Sequence, residues 1–311
     1  MISEKIIAVL CYFVICSFGF TINLYCFFKI RKLKDFKNCF GYICICQVIS
    51  NIVTCTIFLC WACPSILFLK EDTATYEFIN LIFGKISILI WNLNMYSHIA
   101  ASFNRFIAIY FPIRYTRIFD RKTVTIIISL IWFLSFCHVV PYIFFGCIYR
   151  FSIDDLTWNF VSNKCTDILS SLDLYLSLSN VVISLFLDIL NFIKLGIHAK
   201  KSGSIRNIGV VTKSQITMVV TNAQNKNKSQ TQKKTSNVYN NRIRFFFQSF
   251  VQSLIIAVEL MSFHIFVKYA TSKIWAMIAT SCAWALCHTL DGVILCFFNK
   301  EIRSGIPCFK F

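Results

Sequence analysis

Seven long apolar runs divide this chain of 311 residues, and each is long enough to cross a lipid bilayer as a helix. Hydrophobic residues make up 57% of the chain and charged residues 14%, a balance too apolar for a soluble domain of this length. A closed β-barrel would need short strands of alternating polarity, which the sequence lacks. We therefore predict one all-α domain over 1–311, a seven-transmembrane helix bundle with spans near 6–28, 39–69, 78–111, 124–146, 174–197, 245–267 and 274–298.

Basic and acidic residues fall in opposite sets of loops. Loops rich in lysine and arginine stay on the cytoplasmic side of a membrane. The basic loops follow spans one, three and five, with Arg31, Lys32, Lys34, Lys37, then Arg114, Arg117, Arg121, Lys122, then Lys200, Lys201 and Arg206. The acids lie in the other loops, as Glu71, Asp72, Glu77, Asp154, Asp155, Asp167 and Asp173 do. We expect an extracellular N-terminus and a cytoplasmic C-terminus.

The net charge of +17 raises the question of nucleic-acid binding. The basic residues lie beside membrane spans rather than on a soluble domain with interleaved aromatic residues. Anionic lipid of the inner leaflet accounts for the charge more simply, so we expect membrane lipid, and no nucleic acid, as the partner of this surface.

The longest connection, 199–241, is rich in Ser, Thr, Asn, Gln and Lys, and this composition predicts a basic, disordered cytoplasmic loop. It also contains an apolar stretch at 216–220 that is too short to span a membrane. The stretch leaves open whether the loop is genuine or an artefact of gene prediction.

Most of the sixteen cysteines lie inside apolar spans, where cysteine acts as a small apolar residue. Cys147 and Cys165 differ, because both lie in the predicted outer loop after span four, and we expect a local disulfide between them. Cys308 follows span seven on the cytoplasmic side. It is a candidate for lipidation by palmitate, and an unmodified thiol is the alternative.

Polar residues within the spans recur at helical spacing, which places them on faces that point into the bundle. Ionisable groups are too costly to leave against lipid. Hydrogen bonding between helices explains any single polar residue in the spans, whereas the polar residues taken together indicate a function. We assign Asn51 and Asp291, which lie deeper, to switching. We assign to ligand binding the outer residues Ser87, Trp91, Asn94, Glu259 and Trp284.

Span three ends in the string Asn104-Arg105-Phe106, followed by Tyr110 and Pro112. An arginine is costly in hydrocarbon, yet this one lies where the helix should emerge into the cytosol, the arrangement of a switch that faces inward.

Motifs along nearly the whole chain resemble those of rhodopsin-like G-protein-coupled receptors, and more closely those of nematode serpentine chemoreceptors of class X. They are Gly19 with Asn23-Leu24-Tyr25, Asn38-Cys39-Phe40-Gly41-Tyr42, Trp61-Ala62-Cys63-Pro64, Tyr96-Ser97-His98, Asn104-Arg105-Phe106, His288-Thr289-Leu290-Asp291-Gly292 and Phe298-Asn299-Lys300-Glu301-Ile302-Arg303.

The resemblance implies that Arg105 holds the inactive state and then meets a heterotrimeric G protein, with Phe106, Tyr110 and Pro112 near the docking surface. Asn104 replaces the family's acid, so the usual ion pair with the arginine cannot form. Many relatives have an aspartate near Asn51 on span two and an asparagine at Asp291 on span seven. The acid and the amide are exchanged in this chain, and the pair would bridge the two spans. Span six lacks the usual proline hinge, and span three lacks the usual outer cysteine.

We therefore predict a plasma-membrane chemoreceptor of sensory cells that binds a small volatile or soluble cue, with no cofactor and no metal. No catalytic motif supports an enzyme. A receptor for an endogenous peptide or amine is the alternative within the class. A transporter or channel is the alternative outside it, since intramembrane acids also mark ion pathways. Lys85, near the outer end of span three, hints at an anionic or carbonyl-bearing ligand.

Overall fold

Long helices dominate the structure, a computed structural model that describes residues 2–71, 73–213 and 247–304, with 198–213 described by the backbone alone. Helices α1 (Ile2–Lys32), α4 (Ala74–Tyr110) and α6 (Arg121–Cys137) are the first, third and fourth spans. The second span is α2 (Cys39–Ile57) with α3 (Cys63–Phe68). Short helices α5 (Tyr115–Ile118) and α7 (Val140–Phe144) flank α6. The remainder are α8 (Lys164–Lys213), α9 (247–264), α10 (Lys273–Met277), α11 (Ala283–Phe298) and α12 (Lys300–Arg303).

Six of these segments are long and apolar enough to cross a membrane: Ser3–Lys32, Cys39–Phe68, Ala74–Tyr110, Arg121–Phe144, Lys164–Ile197 and Lys273–Phe298. Helix α9 supplies the seventh member of the bundle and begins at the edge of the described chain. It contains neither proline nor glycine, so nothing in its sequence favours a kink.

Helix α8 is longer at both ends than the span predicted at 174–197. It begins at Lys164 because the side chain of Asn163 caps it, accepting a 2.8 Å hydrogen bond from the Thr166 amide. The predicted outer loop is therefore wrong at Asp173, which lies in the helix. At the other end the helix runs to Lys213, past the predicted start of the 199–241 loop. The rest of that loop and Cys308 lie outside the described residues.

Side-chain caps fix where other helices begin. Asn38 accepts from the Gly41 amide at 3.0 Å, and Thr73 accepts from the Tyr76 amide at 3.3 Å. Asp120 accepts from the Thr123 amide at 2.8 Å. Hydrogen bonding from Thr123 holds the pKa of the exposed Asp120 carboxyl below its usual value.

Two π-helical turns interrupt the second and seventh spans, at Phe58–Ala62 and Ile278–Cys282. Pro64 follows the first turn and has no backbone N–H to donate to the preceding turn, which loosens the hydrogen-bond ladder there. Such turns often mark functional sites. Both adjoin the cluster of buried side chains in the outer half of the bundle.

Helix α4 packs against α2, α6 and α8, and α1 packs against α2 and α11. A close approach of α1 to α11 depends on glycine. A Cβ added at Gly292 would lie 2.5 Å from Oδ1 of Asn23, closer than any real Cβ contact. The absence of a side chain at Gly292 thus lets Asn23 reach the polar groups of α11.

A two-stranded antiparallel hairpin covers the end of the bundle opposite Arg105, although the sequence predicts no strands. Strand β1 (Tyr149–Ser152) pairs with β2 (Thr157–Phe160), with Tyr149 opposite Phe160 and Ser152 opposite Thr157. Trp158 is fully buried and lies 6.5 Å from the Phe58 ring and 6.3 Å from the Trp284 ring. A disulfide joins Cys147, just before β1, to Cys165 in the first turn of α8.

Asn80 of α4 holds the hairpin to the bundle. Its Nδ2 donates to the Phe151 carbonyl at 2.8 Å, and its Oδ1 accepts from the Phe151 amide at 3.1 Å and from Trp61 Nε1 at 3.0 Å. Gly84, one turn deeper, lets the backbone of Tyr149 lie directly on α4, because an added Cβ would collide with the Tyr149 carbonyl oxygen. A buried amide thus ties α4 to a segment that is also tied to α8 by a disulfide.

Candidate functional site

A small cavity lies under the hairpin, in the half of the bundle opposite Arg105. Side chains from α4, α8, α9, α11 and both strands form its walls. They include Ser87, Trp91, Glu259 and Trp284, four of the five residues assigned to ligand binding from the sequence. The other lining residues are Ile88, Tyr149, Phe160, Asp173, Leu260, Phe263 and His264.

Asn94, the fifth predicted ligand residue, is absent from that lining. It is fully buried, and neither its Oδ1 nor its Nδ2 has a hydrogen-bond partner in the described part of the chain. Lys85 does not line the cavity either. The structure therefore gives no support to the interpretation of Lys85 as a group that attracts an anionic ligand.

Asp173 is the important lining residue that the sequence analysis missed. The sequence does contain a signal for it. Asp173 precedes Ser177 by four residues and so extends the row of polar residues on one face of α8 by one turn. Ser177 itself contacts the site, accepting a 3.3 Å hydrogen bond from Trp91 Nε1.

A chain of buried hydrogen bonds leads from the cavity toward the centre of the bundle. Trp284 Nε1 donates to His288 Nε2 at 2.9 Å, so the proton of a neutral His288 must lie on Nδ1. That nitrogen lies 2.7 Å from Oδ1 of Asn51. Asn51 Nδ2 in turn donates to Oδ2 of Asp291 at 2.8 Å and to Oδ1 of Asn23 at 3.0 Å. Helices α1, α2 and α11 thus meet at one amide.

The same chain continues toward the other end of the bundle through α9. Asp291 Oδ1 accepts a hydrogen bond from Gln252 Nε2, and the Nε2 of His98 lies 3.7 Å from the same oxygen. Gln252 also accepts from Gln248 at 3.4 Å, and Gln248 accepts from Asn299 Nδ2 at 2.9 Å. Asp291 is therefore the point where α2, α9 and α11 are joined.

A second cavity opens around Arg105 at the opposite end of α4. It has a volume of about 270 Å³ and is lined by Asn38, Phe40, Asn104, Arg105, Ala108, Pro112 and Tyr115. Arg105 is 7% exposed, and its guanidinium lies 5.0 Å from the centre of the Phe40 ring. Within the described residues, Nε and Nη1 of Arg105 have no hydrogen-bond partner and no carboxylate lies within 4.0 Å of the group. The Phe40 ring covers the guanidinium, and the buried carboxylate of Asp188 on α8 acts on it electrostatically from beyond 4.0 Å.

Of the predicted switch residues on and after α4, Asn104 and Pro112 also line this second cavity, whereas Phe106 and Tyr110 do not. The Tyr115 hydroxyl lies 3.2 Å from both Oδ1 and Nδ2 of Asn104, donating to the first and accepting from the second. Tyr110 donates to the Leu190 carbonyl of α8 at 3.0 Å, and its ring stacks on Phe106 with 4.4 Å between centroids. Periodicity in the sequence does not reveal the contact of Phe40 with Arg105 or of Tyr115 with Asn104, since these contacts arise only when the helices pack.

The fold is that of rhodopsin. The crystal structure of squid rhodopsin superposes with a TM-score of 0.64 over 99% of this chain and 84% of that one, at 15% sequence identity. This likeness establishes the seven-helix receptor fold and confirms the predicted fold class.

The chain belongs to the class X family of serpentine chemoreceptors. The family described as serpentine type 7TM GPCR chemoreceptor Srx matches residues 13–220 and 205–299. Serpentine receptor class X 45 of Caenorhabditis elegans is 28% identical over 323 aligned residues, which cover 98% of this chain and 82% of that one. These matches confirm the resemblance drawn from the sequence motifs.

Family membership fixes the broad type of protein. The chain is a multi-pass membrane protein of the G-protein-coupled chemoreceptor type, and its relatives are receptors rather than enzymes.

Proposed function

We propose that this receptor binds a small molecule from outside in the cavity under the hairpin and activates a heterotrimeric G protein at the Arg105 cavity. The observation that carries the proposal is the buried Arg105 guanidinium, whose Nε and Nη1 have no hydrogen-bond partner among the described residues and which lines an open cavity of about 270 Å³. A charge held in this way is poised for a partner that supplies acceptors. Asn104, Phe106, Tyr110 and Pro112 would support the same docking surface.

Coupling between the two ends is supported by the chain of hydrogen bonds. Trp284 lines the outer cavity and donates to His288, which starts the path to Asp291. A ligand that displaced Trp284 would disturb the position of His288 and, through Asn51, the carboxylate that holds α9. A ligand acts by favouring one of two existing conformations, and its differential affinity for the two sets the size of the shift.

Among the described residues no carboxylate lies within 4.0 Å of Arg105 at this end of α4, and Asp188 acts on it only from a greater distance. Asn104 bonds to Tyr115, and Arg105 lies over Phe40. A cation–π contact contributes about 0.5–2 kcal/mol, and one neutral hydrogen bond contributes about 1 kcal/mol. Such a latch is weak, so the receptor should show measurable basal activity.

The proposal is tested by G-protein nucleotide exchange in membranes that carry the wild type, Arg105→Ala or Arg117→Ala. Arg117 is an exposed arginine at the end of α5 and serves as the matched control. We expect basal or odorant-stimulated exchange in the wild type and the control, and its loss in Arg105→Ala.

An ion-flux recording on the same cells separates the receptor from a transporter. Ion flux that persists in Arg105→Ala, without nucleotide exchange in the wild type, would refute the proposal and favour a transporter. We further propose that the receptor resides in the plasma membrane of sensory cells, as its family name as a chemoreceptor suggests.

A further inference from the structure

Two carboxyl groups face the outer cavity, one from each of two adjacent helices. Asp173 comes from α8 and Glu259 from α9, and the electrostatic influence of Asp173 reaches Glu259. None of the residues that line the cavity is a lysine or an arginine. Of the cations near this end in the described chain, two have partners elsewhere, Arg150 and Lys273, while Lys268 acts electrostatically on the lining residue His264. Arg150 lies 3.6 Å from Glu77, and Lys273 donates to the Asp154 carbonyl.

The cavity also holds polar groups without partners. Glu259 is 5% exposed, and its Oε2 has no hydrogen-bond partner among the described residues. The hydroxyl of Ser87, on the facing helix α4, is 1% exposed and equally unpartnered. A buried polar group without a partner costs about 1–3 kcal/mol, more when it is charged. Such groups therefore favour a ligand that donates hydrogen bonds.

Aromatic rings form much of the remaining wall. Trp91, Tyr149, Phe160, Phe263 and Trp284 all line the cavity. The faces of such rings carry partial negative charge and attract cations. The cavity volume is about 30 Å³, room for groups of the size of a water molecule. An ammonium group has this size.

We propose that the ligand is a small protonated amine, whose ammonium group binds between Asp173 and Glu259 and donates to Ser87, with its apolar part against the aromatic wall. This rests on the proposed function, because it names the class of cue that the receptor detects. No lysine or arginine lines the cavity, so a cation would supply the counter-charge for Asp173 and Glu259. An anionic ligand would instead bring further acceptor oxygens to a site whose two carboxyl groups already supply acceptors.

The test uses small probes that share one skeleton and differ in charge: ethylamine, ethanol and acetate, with methylamine and other short alkylamines. Thermal unfolding of the purified full-length receptor in detergent reports binding without any G protein. We expect stabilisation by at least one amine and none by the matched alcohol or carboxylate. This comparison needs no variant, so a folding defect cannot obscure it.

Variants then locate the site. Glu259→Gln and Asp173→Asn should each weaken amine binding about 10-fold or more, a loss of about 1.4 kcal/mol. Glu77→Gln removes an acid whose side chain is 56% exposed and which does not line the cavity, so binding should not change.

The possible results separate this inference from the proposed function. Equal stabilisation by the alcohol, stabilisation by the carboxylate, amine binding that is unchanged in both cavity variants, or no response to any amine at millimolar concentration would each overturn the amine assignment. Selective amine binding without nucleotide exchange would leave the ligand class standing and refute G-protein coupling instead.

Discussion

At the scale of single residues, one buried carboxylate does more than any other group to join the helices. Asp291 is 6% exposed and accepts hydrogen bonds from Asn51 and Gln252. Polar networks in an interior are strong only when every member has its partner. Removal of this acceptor would leave one amide hydrogen without an acceptor on each of Asn51 of α2 and Gln252 of α9.

The first prediction concerns that carboxylate. Asp291→Leu should lower the free energy of unfolding by about 2–6 kcal/mol, because each orphaned donor costs about 1–3 kcal/mol. Asp291→Asn keeps one acceptor oxygen and should cost much less. Thermal unfolding in detergent measures both, and equal losses for the two variants would contradict a role based on hydrogen-bond acceptance.

Much of this network could be predicted from the sequence, and part of it could not. Helical spacing places Asn51 and Asp291 on inward faces, and the resemblance pairs them, as the structure does. Asp173 could have been found by one more step along its stripe. The contact of Arg105 with Phe40 could not, because it depends on how the end of α4 meets the start of α2, which no periodicity encodes.

At the scale of elements, the outer hairpin is the part of the structure that the sequence analysis missed. Each strand has four residues, too few for a clear alternating pattern. In β1, Tyr149 and Phe151 are buried while the residues between and after them are less so, a signal that is visible only once the turn at 153–156 is known. Long membrane-spanning helices, in contrast, are predicted directly by the length of their apolar runs.

The second prediction concerns the attachment of this hairpin. Asn80→Leu removes both hydrogen bonds to Phe151 and the acceptor of Trp61, so the hairpin should open more readily. We expect the Phe151 amide to exchange hydrogen about 10-fold faster or more, as a local opening free energy lowered by about 1.4 kcal/mol requires.

Asn159→Ala is the control for this experiment. Asn159 lies on β2, is only partly buried, and its Nδ2 contacts Asp155 rather than the bundle. Its loss should leave exchange at Phe151 unchanged. Unaltered exchange in Asn80→Leu would show that the other attachments hold the hairpin without it, namely the disulfide and hydrogen bonds such as those to Tyr76 and Ser281.

At the scale of the whole molecule, the charge pattern of the loops predicts how the bundle sits in the membrane. The basic loops adjoin the end of the bundle that contains Arg105, and the hairpin lies at the other end. Lysine and arginine close to membrane spans remain in the cytosol. The hairpin and its cavity should therefore face outward.

The third prediction follows from that orientation. An epitope at the N-terminus should be stained by antibody on intact cells, and one at the C-terminus only after permeabilisation. The sequon at Asn227, in the predicted cytoplasmic loop, should carry no glycan. A shift in mobility after treatment with an N-glycosidase, abolished in Asn227→Gln, would contradict the assigned topology.

Helix α9 contains neither proline nor glycine, and this shapes the motion available to it. Without a flexible joint, the segment 247–264 behaves as a stiff rod about 27 Å long. A pivot near Glu259 would leave most of that length on the side of Arg105. A tilt of about 10° would then move the far end by roughly 3 Å, while the walls of the ligand cavity shift by about 1 Å. Such a helix would act as a lever with unequal arms, in which a slight adjustment at the cavity under the hairpin becomes a larger displacement at the end near Arg105.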